Sequence, residues 1–180
     1  MKDSVNLDMK ERQRRFEHLV SGYSTDIYRM AFWLCRDRTM AEDLAQETFL
    51  RAWRALDSLE EESKSKAWLV TILRRENARR FDRKQLELVD IEDNEPAMYE
   101  DQWPDAMFEK DELRKAIAHL PIAYREPLVL QQLGGFSCEE IAQMLGIGMG
   151  ATMTRLFRAK KQLAESLSGK QTDERGMKHG

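Results

Sequence analysis

The chain has 180 residues, 42% hydrophobic and 34% charged, with a formal net charge of −3. This composition suits a helix-rich soluble protein of one domain or two small ones. No apolar run of about 18 residues is present to cross a membrane, and the first residues lack the apolar core of a signal peptide, so a cytoplasmic protein is expected.

The charge is uneven. Residues 1–84 carry a net +3, residues 85–111 a net −9 and residues 112–180 a net +3. Two mildly basic blocks thus flank an acidic strip, which argues for two domains and a linker. The acidic average does not exclude nucleic acid as a partner, because it belongs to the middle strip alone.

In the first block, Phe16, Leu19, Val20, Tyr23, Ile27, Met30, Ala31 and Leu34 follow helical spacing. A turn at "RDRT" follows, with Thr39 as the expected N-cap. The next helix, "MAEDLAQETFLRAWRAL", places Leu44, Ala45, Phe49, Ala52, Trp53 and Leu56 on one face. Asp43, Gln46, Glu47, Leu50, Arg51 and Arg54 fall mostly on the other. After a polar loop comes "WLVTILRRENARRFDRK", Trp68 to Lys84. Six of its last eleven residues are basic: Arg74, Arg75, Arg79, Arg80, Arg83 and Lys84. Arg75, Arg79 and Arg83 share one stripe. Aromatic and basic residues together suit melted or single-stranded DNA, where bases stack and phosphates pair. The plainer reading makes Trp68 and Ile72 partly core beneath a solvated charged face.

Residues 85–111 have no sustained period and contain Pro96 and Pro104, so they read as a flexible acidic linker. The last block begins with the amphipathic "DELRKAIAHL". Pro121 opens the next helix, which Gly134 and Gly135 stop. Ser137 with Glu140 three residues later forms a capping box for "SCEEIAQMLGI". "GIGMG" is a turn, and "ATMTRLFRAKKQLAESL" is a final helix. Its apolar side carries Leu156, Ala159, Leu163 and Leu167, and its other side Arg155, Arg158, Lys160 and Lys161. Residues 169–180 read as a disordered tail. A short capped helix, a glycine turn and a longer basic helix have the form of a helix-turn-helix, whose second helix enters the DNA major groove. The alternative is an ordinary helical hairpin with a solvated basic face.

Cys35 and Cys138 stand alone, and His18, His119 and His179 show no ligand spacing with them. Both cysteines are expected as small buried hydrophobes. No metal, no cofactor and no catalytic set is expected, and the chain does not read as an enzyme.

The segments, in this order, resemble the bacterial sigma factors of the extracytoplasmic-function group over about residues 12–168. "AEDLAQETFLRAWRAL" looks like the family's helix that docks on the clamp of the polymerase β′ subunit. "KAWLVTILRRENARRFDRK" looks like the helix that melts and reads the −10 promoter element. The stretch from Leu120 to Leu163 looks like the domain that reads the −35 element. The resemblance implies an all-α protein of two small helical domains: residues 1–84, an acidic linker at 85–111, and a helix-turn-helix domain at 112–168. It implies a dissociable subunit of RNA polymerase that meets the core β and β′ subunits and promoter DNA, held in check by an anti-sigma factor.

Carried over by position, Asp43, Gln46, Glu47, Arg51 and Arg54 become the core-polymerase surface. Trp68, Arg74, Arg75, Arg79, Arg80, Arg83 and Lys84 become the −10 surface, and Thr154, Arg155, Phe157, Arg158 and Lys160 the −35 surface. Three departures stand out. Arg75 occupies a position where the family often has Asn, and Arg cannot copy the amide's paired donor and acceptor. Gly148 to Thr152 replace a usual Pro-Val-Gly-Thr-Val. Met153 stands where Lys or Arg is common.

Two other classes fit parts of the chain. A regulator that binds only duplex DNA accounts for the last block but leaves residues 1–84 without a role. An interaction module whose basic faces meet an acidic partner predicts no salt-dependent DNA binding.

Overall fold

Three helices build the N-terminal part: α1 at Lys2–Cys35, α2 at Arg38–Arg54 and α3 at Ser65–Glu87. Four build the C-terminal part: α4 at Asp111–His119, α5 at Ile122–Gln132, α6 at Cys138–Leu145 and α7 at Met149–Gly176. The computed structural model describes the backbone of residues 2–87 and 111–176 and the side chains of residues 8–80 and 113–168. Every regular element among the described residues is helical. The chain divides into two units, Met1–Tyr99 and Glu100–Gly180, as an all-α protein of two small domains requires. The acidic stretch 88–110 lies outside the described residues.

In the first unit, the expected stripe of α1 faces inward, with Leu19, Ile27, Met30, Ala31 and Leu34 buried. Phe32 and Trp33 are buried too, so the end of α1 is apolar on all sides rather than on one stripe. Leu44 and Ala52 from α2, Leu56 after it, and Leu69, Val70 and Leu73 from α3 complete the core. Burying one such Leu or Ile side chain stabilises the fold by about 2 kcal/mol. Phe49 and Trp53 are half-buried, and Phe16 meets both edge-on at centroid distances of 6.4 and 5.1 Å.

The α1–α2 corner corrects the expected cap. Arg36 takes a left-handed φ of 56°, which reverses the chain. Asp37 then lies extended, and its carboxylate accepts from the Met40 N–H at 2.7 Å. Asp37 is therefore the N-cap, and Thr39 falls inside the first turn.

Two short 3-10 turns, Leu56–Ser58 and Glu62–Lys64, lead into α3. α1 pins this loop. Arg12 lies 5.1 Å over the Trp53 ring and pairs with Asp57 at 2.6 Å, while Arg15 donates to the Leu59 carbonyl at 3.1 Å.

In the second unit, Ala116, Leu120, Leu128, Ile141, Leu156 and Ala159 are among the buried residues. Arg125 is buried as well, donating to the Ala118 and Leu120 carbonyls at 3.0 and 3.3 Å. It thereby satisfies carbonyls at the end of α4 that the helix leaves open. Gly134 has no room for a side chain: a Cβ there would lie 2.4 Å from the Leu130 carbonyl oxygen and from the Phe136 ring. The backbone of α7 continues to Gly176, where the sequence suggested a disordered tail from residue 169.

Candidate nucleic-acid and protein interfaces

The helix-turn-helix is built by local rules. Ser137 caps α6 by accepting from the Glu140 N–H at 3.2 Å, and the Glu140 carboxylate accepts from the Ser137 N–H at 2.8 Å. The bonds from Ser137 hold the Glu140 carboxyl below its ordinary range. Gly146 closes α6 in the left-handed region at φ 63°, and the Ile147 N–H returns to the Ala142 carbonyl at 3.1 Å. α7 then starts at Met149, two residues before the helix read from the sequence. So Met149 and Gly150 belong to the helix rather than to the turn.

Thr152, Leu156 and Ala159 anchor one side of α7 in the core. The opposite side leaves Met153, Thr154, Phe157, Arg158 and Lys160 exposed, with Arg155 half-buried. Four of the five residues assigned to the −35 surface are therefore exposed on one helix, with Arg155 half-buried beside the inner side. Thr154 donates its hydroxyl back to the Gly150 carbonyl at 2.8 Å, and Arg158 reaches the Tyr124 hydroxyl at 3.3 Å.

The basic set on α3 is not uniform. Arg75 and Arg79 are exposed, one turn apart on one stripe. Arg74 is half-buried. Arg80 is half-buried and donates to the Met40 carbonyl at 3.3 Å, a contact that ties α3 to the start of α2. Trp68 is half-buried, its indole N–H on the Ser58 hydroxyl at 3.2 Å. The side chains of Arg83 and Lys84 lie outside the described residues. The arginine stripe thus begins at Arg75 and Arg79, while Arg80 is occupied within the fold.

On α2, Asp43, Gln46 and Arg54 are exposed and Glu47 and Arg51 half-buried. Glu47 pairs with Arg51 at 2.9 Å. Leu50 is exposed among them. An apolar side chain inside a charged patch suits a protein surface better than a nucleic-acid one.

Sequence reasoning gave no role to Glu76. Its carboxylate, only 12% exposed, takes Arg51 from α2 at 3.5 Å and Arg79 from α3 at 3.2 Å. Helical spacing reveals the second partner, since 76 and 79 are three apart. Nothing local reveals the first.

Cys35 and Cys138 are half-buried thiols in no disulfide rather than fully buried ones; the Cys35 thiol donates to the Asn77 side-chain oxygen at 3.7 Å. Among the described residues no group of His, Cys, Asp and Glu is placed to hold a metal ion, and no helix is long and apolar enough to cross a membrane.

Residues 19–87 match the model of Sigma-70 region 2, and residues 110–163 that of Sigma-70 region 4. The first match covers α2, α3 and the second half of α1, and the second the four helices of the other unit as far as Leu163. The chain is 35% identical over 128 residues to the ECF RNA polymerase sigma factor EcfG of Rhodopseudomonas palustris, covering 71% of each protein. It is 31% identical over 160 residues to SigE of Mycolicibacterium smegmatis, covering 85% of this chain but 62% of that protein's length. Among solved structures, the sigma factor RpoE of Bartonella quintana, in complex with the anti-sigma factor NepR, superposes with a TM-score of 0.73. The two are 30% identical, and the match covers 86% of this chain and 98% of that one. CnrH in complex with the cytosolic domain of CnrY superposes with a TM-score of 0.63 at 26% identity, over 87% and 90% of the two chains. The chain belongs to the extracytoplasmic-function family of RNA polymerase sigma factors, proteins of transcription initiation rather than enzymes.

Proposed function

We propose that this chain directs core RNA polymerase to specific promoters by using three separate surfaces. The polar face of α2, with Asp43, Gln46, Glu47, Arg51 and Arg54, docks on the polymerase core. The outer stripe of α3, led by Arg75 and Arg79, holds the unwound −10 strand. The outer half of α7, with Thr154, Arg155, Phe157, Arg158 and Lys160, enters the major groove of the −35 duplex.

The observation that carries this reading is the pair of open faces on one small unit. α3 exposes Arg75 and Arg79, whereas α2 exposes Leu50 beside Asp43, Gln46 and Arg54. A duplex-binding regulator has no use for the second face. Guanidinium groups bind phosphate, and exposed bases stack on nearby planar side chains, which offsets an unstacking cost of about a few kcal/mol per opened step. Phosphate contacts from Lys160 add affinity without sequence information, so discrimination falls to the residues nearer the start of α7.

Two structural neighbours are described in complexes, one with the anti-sigma factor NepR and one with the cytosolic domain of CnrY. By that likeness an anti-sigma factor covers the polymerase- and DNA-binding faces of this chain until it is released.

Run-off transcription with purified core polymerase on a genomic fragment library tests the proposal. Transcripts that appear only with this chain, and share two spaced upstream elements, support it. A chain that fails to bind core polymerase refutes it.

A further inference from the structure

Met149, Met153 and Phe157 recur every four residues, so they form one line along the first turns of α7. Their exposures are 45%, 58% and 68%. The helix is not loose: Thr152, Leu156 and Ala159 on its inner side are buried at 3% exposure or less. Three large apolar side chains are therefore held rigidly in water on the face assigned to DNA. Such a patch marks a contact surface.

The border of the line decides what it contacts. No acidic residue occurs between Met149 and Lys161, while Arg155, Arg158, Lys160 and Lys161 flank it. This charge is complementary to phosphate. Thr154, the hydroxyl beside this line, gives its proton to the Gly150 carbonyl at 2.8 Å and so offers a base only its acceptor lone pairs. Along the line itself the surface is apolar with a cationic rim. In the major groove, the apolar group on a base edge is the 5-methyl of thymine.

We propose that Met153 and Phe157, with Met149 at the edge, read the −35 element by packing on thymine methyl groups. Met153, where Lys or Arg is common in the family, is then a specificity residue of changed chemistry. The proposal rests on the reading that α7 enters the −35 groove. Four residues of helix rise about 6 Å, so the two side chains address thymines about two base-pair steps apart.

The test uses holoenzyme assembled from the full chain and core polymerase. Duplexes are selected from a randomised library, and the best one is resynthesised with deoxyuridine at each thymine in turn. This removes the methyl and leaves base pairing intact. Binding should fall about fourfold at one or two upstream positions, the loss expected for one buried methyl. The same replacement should cost nothing further at the matching position in Met153→Ala or Phe157→Ala holoenzyme. Both side chains are exposed, so both variants should melt with the parent.

If every deoxyuridine duplex binds like the parent while the upstream sequence is still required, the methyl readout is overturned and the −35 reading stands. If no upstream sequence preference exists, both fail. If Met153→Ala and Phe157→Ala bind all duplexes at full strength, the line belongs to a protein partner and the proposal is wrong.

Discussion

Arg51 of α2 and Glu76 of α3 approach to 3.5 Å, and the same carboxylate holds Arg79 at 3.2 Å. One largely buried acid thus joins a residue assigned to the polymerase face to one assigned to the DNA face. Arg51 is also paired with Glu47 at 2.9 Å, so removing Glu76 leaves it a partner, whereas Arg79 is set free.

Glu76→Gln should therefore change DNA binding more than stability. The arginines are substantially exposed, at 37% and 57% for their side chains, so the pairs stabilise by less than about 1 kcal/mol. Releasing one cation should raise affinity for single-stranded DNA and steepen the log–log salt slope by about 0.7. Fluorescence anisotropy across a salt series reads this. An unchanged slope would show that Glu76 does not restrain Arg79.

Arg75 and Arg80 differ by five positions in one basic run and should behave oppositely. Arg75 is exposed, so Arg75→Ala should leave thermal stability within about 0.5 kcal/mol while reducing promoter opening. Arg80 donates to the Met40 carbonyl, so Arg80→Ala should cost about 1 kcal/mol of stability. Thermal melts beside permanganate footprinting of opened promoter separate the two effects.

Gly134→Ala should be strongly destabilising. Its Cβ would meet backbone and ring atoms at 2.4 Å, well inside contact distance. Overpacking of this kind costs about 1–3 kcal/mol. The neighbouring Gly135, at φ 72° with open space around it, should suffer from backbone strain alone on the same change. Denaturant unfolding of the two variants, compared with the parent, checks the order.

The α6 cap predicts a pH dependence with a definite sign. The Glu140 carboxyl is held below its ordinary range by its bonds from Ser137. A group whose folded-state pKa is lowered contributes stability above its unfolded pKa and loses it as pH falls through the folded one. Stability of α6 should therefore decline at acid pH, below the ordinary range of a glutamate. Glu140→Gln should flatten that decline, and Ser137→Ala should cost about 1 kcal/mol at neutral pH. Amide hydrogen exchange of Ile141 and Ala142 across pH reports the cap directly.

Much of the fold follows from short-range rules that a sequence displays. The stripe Leu19, Ile27, Met30 and Leu34 is a matter of helical period, and both ends of that pattern lie within α1. The Ser137–Glu140 box spans three residues, so it forms from local bonds alone. What misled was also local. Asp37 and Thr39 are both competent caps, and the choice went to Asp37 because Arg36 turns the chain through a left-handed conformation just before it.

The sequence by itself determined the family, the order of helices and the three groups of candidate side chains. Spacing and residue type carry that information. Tertiary structure alone decided how the charges are used. Arg80 turns to a carbonyl forty residues away, Glu76 collects arginines from two helices, and Met153 and Phe157 stay in water because Leu156 and Ala159 take the buried side of α7. A charged group's partner is set by which helices pack together, and packing joins residues whose distance along the chain says nothing of their distance in space.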